Sequence, residues 1–437
     1  MSFIKKNIKD LSIDDLNILL EQLNKNNDVS SCNNIVEIIR IYISSKSRYL
    51  KRDLKKKFGK SYIDYLNLFH LIFSEVEKKF FFKKENLLDL AIINSILSLK
   101  KYINGNSILL KKIAHEINKL EFYLISLEKK NNSDKNSFSQ EFLFNYNNLR
   151  QEAIYSKPVV ILSPSPFSLY TGCVIELCNR FSIPIEAIII RKFSIKRFFE
   201  EAKRDGYINL LNKIFNKLII KGNDNLSYSD VSLKYIFKRL KIKDKNIKNI
   251  IKNKNIKLIN VNSFQYIDKN IASLKSNIAL FTGGGIISEE VINKFDNGII
   301  NLHVGNLPQY KGMDTTEVTI LEGKFNSVGL TTHLMDKKVD SGPILSKYIF
   351  NSEGYSQIGT IFNEVSALFP FMLIDAYLGY CSGRYKKLAQ NNEGKLYFTL
   401  NSQLKDLVNK ILFVRSKNNF KPELVKNFTN NILKNFI

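Results

Sequence analysis

"NIALFTGGGIISEEVINKFDNGIINLH", residues Asn277 to His303, holds two short β-rich apolar runs, NIALFT (277–282) and GIINLH (298–303), with a helical segment between them. Apolar runs that alternate with helices imply βαβ units, in which a buried, mainly parallel sheet is covered on both faces. The pattern extends both ways along the chain. KPVVIL (157–162), EAIII (186–190) and KLINV (257–261) come before it, and VGLTTHLM (328–335) and ILSKYIF (344–350) follow. The fold class expected is therefore α/β. Ligands of such sheets sit beyond the carboxyl ends of the strands. Asn301 and His303, which close the GIINLH run, fall at that edge.

Upstream, Ile13, Leu16, Leu20 and Leu23 recur at spacings of 3 and 4, and Ser12 with Asp15 makes a capping signal. Residues 1–150 thus read as an α-helical module of unassigned role that precedes the sheet domain. The polar run KKNNSDKNS (Lys129 to Ser137) marks a linker near the boundary. A sheet domain is expected over 151–355, with a basic insertion over about 192–256. Lys234, Lys238, Arg239, Lys241, Lys243, Lys245, Lys248, Lys252, Lys254 and Lys257 crowd that insertion or border it. A solvated helical face explains such a run more simply than a phosphate-contacting surface. Residues 356–437 read as a helical extension, in which KLYFTL (395–400) is a candidate strand.

A chain of 437 residues with 44% hydrophobic side chains can bury a large core, so disorder is not the default. The net charge of +25 invites a nucleic-acid or acidic-membrane partner. Lys, Asn and Ile are abundant throughout, however, and this compositional bias is the simpler account of the charge. Cys32, Cys173, Cys178 and Cys381 form no CxxC pair and read as reduced core thiols. The four histidines make no cluster with zinc-ligand spacing, and no metal is expected. The first residues, MSFIKKNIKDLSIDD, have no apolar core of a signal segment, and the longest apolar stretch, SALFPFMLIDAYLGY, contains Asp375. A soluble cytoplasmic protein without a membrane partner is the expectation.

Asn301 and His303, two apart on a strand, point to one side and can face one substrate. Asp340 lies in DKKVDSGPIL, a turn-like segment between two strand runs, and its carboxylate could approach from a neighbouring strand end. A carboxylate beside an imidazole favours the charged ring and fixes its orientation, and a carboxamide N–H can meet a developing oxyanion. The trio suits acyl transfer through a tetrahedral intermediate. A hydrogen-bonded structural histidine at a strand end satisfies the same spacing, so both readings stand at this point.

Further motifs in the same region decide between them. From GGGIISEEV through N-x-H, L-P-x-Y-x-G, an E-G before a strand, and G-x-T-x-H-x-M-D followed by D-S-G-P-I-L, the sequence resembles the folate-dependent formyltransferases. The match is firm over about 277–350, looser over 157–400 and absent from 1–150. The resemblance implies a Rossmann-like, mainly parallel sheet that binds 10-formyltetrahydrofolate and passes its formyl group to a primary amine. It implies that Asn301 holds the formyl oxygen and that His303, as imidazolium, stabilises the oxyanion. Asp340 would sustain that charge and help relay the proton from the attacking amine. His333 matches a histidine that lines the family's site, although a packed strand residue would look the same. The donor's pterin pocket would come largely from the backbone of TGGGIIS, with Gly283, Gly284, Gly285, Ile286 and Ser288, and of MDKKVD, with Asp336 and Lys337. Glycines allow close backbone approach to a flat ring.

Departures from the family pattern bear on the acceptor. SPSPFSLYTG follows the VVIL run, where purine-pathway members carry a glycine-rich phosphate cradle, and its two prolines remove donors. Enzymes acting on methionyl-tRNA carry a C-terminal β-barrel, for which the stretch after Leu400 is short. TGGGI and KGMDTTE are closer to formyltransferase-like proteins of amino-sugar metabolism. The expected acceptor is a small-molecule amine, on a nucleotide-linked amino sugar ahead of methionyl-tRNA. A deformylase would use the same trio. A binding or scaffold protein built on a retired formyltransferase domain is the reading from another class, and the intact trio argues against it. The oligomeric state is not legible.

Overall fold

The computed structural model describes residues 108–127, 140–192, 228–267, 269–283, 285–390, 394–417 and 425–436, with isolated helical positions before residue 98. Contacts divide the chain into two units, Met1–Leu127 with Phe398–Leu407, and Glu128–Tyr397 with Val408–Ile437. The division falls earlier than the 150/151 boundary expected from sequence. Phe142 and Leu149 are buried, Glu141 bridges to Lys347, and the Phe142 N–H donates to the Lys347 carbonyl at 2.7 Å, so this segment belongs with the sheet. Much of 356–437 belongs there too: Phe371 to Ile374 are fully buried.

In the first unit every described residue up to Ser126 is helical, and Ile113, Leu120 and Leu124 line one buried face of the helix Ile108–Ser126. The Asn94 side chain donates to the Thr399 carbonyl at 3.1 Å and accepts from the Asn401 N–H at 2.6 Å. The Ser12 cap, the Ile13 to Leu23 periodicity, the Lys129–Ser137 run and residues 193–227 lie outside the described residues.

The second unit is built on a seven-stranded sheet. Its strands are β1 (Val159–Ser163), β2 (Ile185–Arg191), β3 (Lys257–Val261), β4 (Ile278–Phe281), β5 (Gly298–His303), β7 (Val328–Leu334) and β8 (Ile344–Phe350), in the order β3-β2-β1-β4-β5-β7-β8. All pairings from β3 to β5 are parallel, and β7 and β8 run antiparallel. This is the Rossmann-like, mainly parallel architecture expected. A separate ribbon pairs β6 (Tyr310–Gly312) in parallel with β9 (Lys395–Tyr397), the strand expected within KLYFTL.

The central strands are apolar throughout because helices cover both faces. Val160, Leu162, Ala187, Ile189, Ala279 and Ile299 form one core with Phe264, Val291 and Phe295. On the other face lie the helices Leu169–Arg180 and Phe369–Cys381. The region read as a basic insertion contributes to this layer. The helix Tyr228–Arg239 buries Leu233, Ile236 and Phe237, while Lys238, Arg239, Lys241, Lys243, Lys245 and Lys248 stay exposed. Its described part therefore completes the crossover between β2 and β3. No single helix among the described residues is long and apolar enough to cross a membrane.

Candidate active site

Strand order reverses between β1 and β4, the place where an open α/β sheet opens a crevice. Three buried hydroxyls tie that point together. Ser163 Oγ lies 2.8 Å from Thr171 Oγ1, Thr171 Oγ1 lies 2.8 Å from Thr282 Oγ1, and Thr282 donates to the Leu162 carbonyl at 2.8 Å. Ser168 caps the following helix by accepting from the Thr171 N–H at 3.2 Å. The SPSPFS turn is thus closed by its own side chains.

Register places the next residues. Asn301 on β5 sits opposite His333 on β7, and His303 opposite Thr331. The Asn301 side-chain N–H donates to His333 Nε2 at 3.1 Å, while His333 Nδ1 donates to the Leu334 carbonyl at 2.9 Å. Burial, reinforced by His303 and opposed by Asp340, drives the His333 pKa down to about 4. The ring is neutral at pH 7, its proton sits on Nδ1, and Nε2 is the acceptor that fixes the Asn301 carboxamide. The second N–H and the Oδ1 of Asn301 are left for a ligand.

Asp340 brings the two histidines to one carboxylate, with Oδ2 3.4 Å from His303 Nδ1 and Oδ1 3.6 Å from His333 Nε2. Its backbone is left-handed (φ +50°), a conformation that Asp and Asn tolerate better than most residues. Gln390 steadies the turn by donating to the carbonyls of Asp340 at 3.0 Å and Gly342 at 2.6 Å. Both nitrogens of His303 face oxygen: Nε2 lies 2.9 Å from the Tyr310 carbonyl, and Nδ1 faces Asp340. Only the doubly protonated ring donates to both. Gly312 N–H donates to Asp340 Oδ2 at 2.9 Å, so β6 holds both members of the His303–Asp340 pair. Under the loop that follows His303, Thr331 Oγ1 donates to the Gly305 carbonyl at 2.7 Å and Lys347 donates to Asn306 at 3.1 Å.

Asn301, His303, His333 and Asp340 therefore converge. The residues expected to hold the donor lie on two adjacent loops. Gly283 (φ +108°) and Gly285 (φ +98°) adopt left-handed backbone, and a Cβ at Gly285 would lie 2.7 Å from Arg191 Nη1, so glycine permits the close approach. Gly284 lies outside the described residues. Ile286 is 74% exposed, and Ser288 caps the helix Glu289–Asn293. Asp336 accepts from the Lys337 N–H at 2.7 Å, and Lys337 reaches 3.9 Å from Glu289, which links the loops. The Ser288 and Asp336 side chains serve local backbone bonds, consistent with loops expected to contribute mainly backbone. Residues that the sequence did not single out are Arg191, Gly305, Thr331, Lys347 and Gln390. For Thr331 the period-two pattern of β7 was the available signal, whereas Gln390 arrives from a distant segment without one.

Residues 238–353 match the family model described as formyl transferase. That segment is similar to the formyl transferases. Two curated relatives align to parts of it. The methionyl-tRNA formyltransferase of Listeria welshimeri is 29% identical over 118 residues, 27% of this chain and 37% of the relative. That of Borreliella burgdorferi is 31% identical over 115 residues, 25% of this chain and 36% of the relative. The chain thus spans little more than a third of the length of these relatives. Among solved structures, an N-formyltransferase from Helicobacter canadensis aligns with a TM-score of 0.35 at 15% identity, covering 59% of this chain and 81% of that one. The matched segment contains β3 to β8 and all four converging residues.

Proposed function

We propose that this protein transfers the formyl group of 10-formyltetrahydrofolate to a primary amine. The observation that carries the reading is the convergence of Asn301, His303, His333 and Asp340 at the carboxyl edge of the sheet, inside the segment that matches the family. The folate supplies an activated formyl group. Gly283 and Gly285, with left-handed backbone, and exposed Ile286 fit a flat ring, and the Asp336–Lys337 turn borders them.

Attack of the amine nitrogen on the formyl carbon forms the new C–N bond and puts negative charge on the formyl oxygen. The free N–H of Asn301 meets that charge, its orientation set by neutral His333. His303 can add a second donor when Nε2 exchanges the Tyr310 carbonyl for the oxyanion, while Nδ1 stays on Asp340. Fixed donors aimed at developing charge are the largest single term in such reactions. The proton shed by the attacking nitrogen reaches the departing nitrogen by way of the Asp340 carboxylate as the old C–N bond breaks.

The acceptor we favour is the amine of a nucleotide-linked amino sugar, in the cytoplasm. Two features support it: the KGMDTTE and TGGGI variants, and the self-capped SPSPFS turn where a phosphate cradle would otherwise stand. A second reading, methionyl-tRNA, is favoured by the names of the curated relatives. Incubation with 10-formyltetrahydrofolate and a panel of amino-sugar nucleotides and charged initiator tRNA, read by mass spectrometry, tests both. A gain of one formyl mass on the sugars alone is the expected result, and a gain on tRNA alone would overturn the preference.

A further inference from the structure

Outside the converging residues, the carboxylate of Glu322 makes bonds that lead back to them. Glu322 closes the helix Thr315–Leu321 and is half-buried. It accepts two phenol hydroxyls, from Tyr310 at 2.8 Å on Oε2 and from Tyr397 at 2.7 Å on Oε1. Those tyrosines belong to the two strands of the β6–β9 ribbon, and their ring centroids lie 6.1 Å apart. One carboxylate therefore clamps both strands of a ribbon only three residues long, which has little pairing of its own to hold it.

The ribbon is the element that touches His303 and Asp340 through its backbone. The Tyr310 carbonyl receives His303 Nε2 at 2.9 Å, and the Gly312 N–H reaches Asp340 Oδ2 at 2.9 Å. The strands approach closely. A Cβ at Gly394 would overlap the Pro308 carbonyl, and the Met313 N–H donates to the Tyr397 carbonyl at 3.0 Å. Displacement of β6 thus moves an acceptor on the imidazole and a donor on the carboxylate together.

We infer that Glu322 is a positioning residue: by joining Tyr310 to Tyr397 it sets the place of β6, and through β6 the geometry of the His303–Asp340 pair. Its kinetic consequence rests on the formyl-transfer reading, whereas its structural consequence does not. Hydrogen bonds to a carboxylate are stronger than neutral ones, so the clamp is worth more than two tyrosine hydroxyls in water. Gln at this position keeps one acceptor oxygen and can offer an N–H to the other phenol. Ala removes both.

The test compares wild type, Glu322→Gln, Glu322→Ala and Tyr397→Phe in the full-length protein. The first readout is nitrogen-15 NMR of the imidazoles, tractable because the sequence has four histidines, with exposed His115 as an internal reference. The His303 resonances should move in Glu322→Ala and, in the same direction but less, in Tyr397→Phe. Those of His115 should stay. The second readout is kinetic: kcat should fall by about tenfold or more in Glu322→Ala with KM for the folate held within about twofold, and Glu322→Gln should recover most of the loss. Tyr397→Phe deletes a single hydroxyl and keeps the test decisive if Glu322→Ala fails to fold. Unmoved His303 resonances in a folded Tyr397→Phe or Glu322→Ala protein would overturn the inference. Absence of formyl transfer in the wild type would overturn the functional reading alone, and the NMR comparison would still decide the role of Glu322.

Discussion

Gly305 lies so close to His303 that a Cβ on it would sit 2.5 Å from Nε2 and 2.9 Å from Cδ2 of the ring. The same atom would meet Thr315 Oγ1 at 2.8 Å, so the methyl of Gly305→Ala has no easy escape. The imidazole must swing away from the Tyr310 carbonyl or from Asp340. A misplacement on the order of 1 Å in a catalytic group can lower turnover about a hundredfold. Gly305→Ala should therefore lose formyl transfer on that scale while retaining its circular dichroism spectrum. Wild-type kcat in this variant would show that the ring position observed is not the working one.

Loss of the imidazole or of the Asp340 charge should be more severe. A positioned acid–base group contributes roughly 10² to 10⁴ in rate, and His303→Ala and Asp340→Asn should each lose at least that much. Asp340→Asn is the sharper of the two. The position has φ +50°, which Asn accepts, so the substitution removes charge without straining the backbone. Single-turnover transfer from the labelled donor measures it, and undiminished transfer in either variant would remove the assignment.

Two buried groups should tilt stability with pH in opposite directions. His333 is held down to about 4 by burial, below its unfolded value near 6.5, so the fold binds fewer protons there and stability falls as pH drops between these values. Asp375 is fully buried, bonded to Arg384 at 2.7 Å and Tyr385 at 2.7 Å, and burial raises it to about 6. The fold then binds the extra proton, and stability rises as pH drops from about 6 towards the unfolded value near 4. Over that window the two slopes offset each other. His333→Gln should unmask a gain, and Asp375→Asn a loss, each about 1.4 kcal/mol per pH unit. Urea melts at pH 6 and 5 provide the comparison. Equal slopes in wild type and both variants would show that neither group is coupled to folding.

Glu353 and Arg415 form an ion pair in which both side chains are nearly inaccessible, 4% and 2% exposed. The Arg415 guanidinium also stands 4.2 Å from the Phe325 ring. Truncating one partner of a buried pair costs roughly 3–5 kcal/mol, whereas replacing both with apolar residues of similar volume costs far less. Glu353→Leu should lower the denaturation midpoint strongly, and Glu353→Leu with Arg415→Met should recover much of the loss. A double variant as unstable as the single one would show that packing rather than charge dominates.

The strands were readable because a parallel strand buried on both faces leaves a continuous apolar run. KPVVIL and NIALFT overlap β1 and β4, parallel central strands buried at every position. Period two put Asn301 and His303 on one side. The structure brings them near Asp340, and it gives His333 a specific partner in Asn301. What stayed hidden was carried by backbone. The Tyr310 carbonyl and the Gly312 N–H have no residue signature, and β6 is too short to have a period. Gln390 and Tyr397 reach this region from far along the chain, a closeness that only the folded topology creates. The 150/151 boundary expected from sequence follows the onset of strand pattern, whereas the chain joins the sheet unit earlier because Phe142 and Leu149 are buried in it.

The parallel pairing of β6 with β9 also fixes an order of events during synthesis. A ribosome releases the segment from Asn301 to Gly312 long before it reaches Lys395. Until Tyr397 has emerged, Glu322 has only one of its two phenols, and β6 has no strand to pair with. The nascent chain can therefore carry every residue of the trio and still lack a fixed site. The arrangement is completed late, by a three-residue strand outside the segment that matches the family.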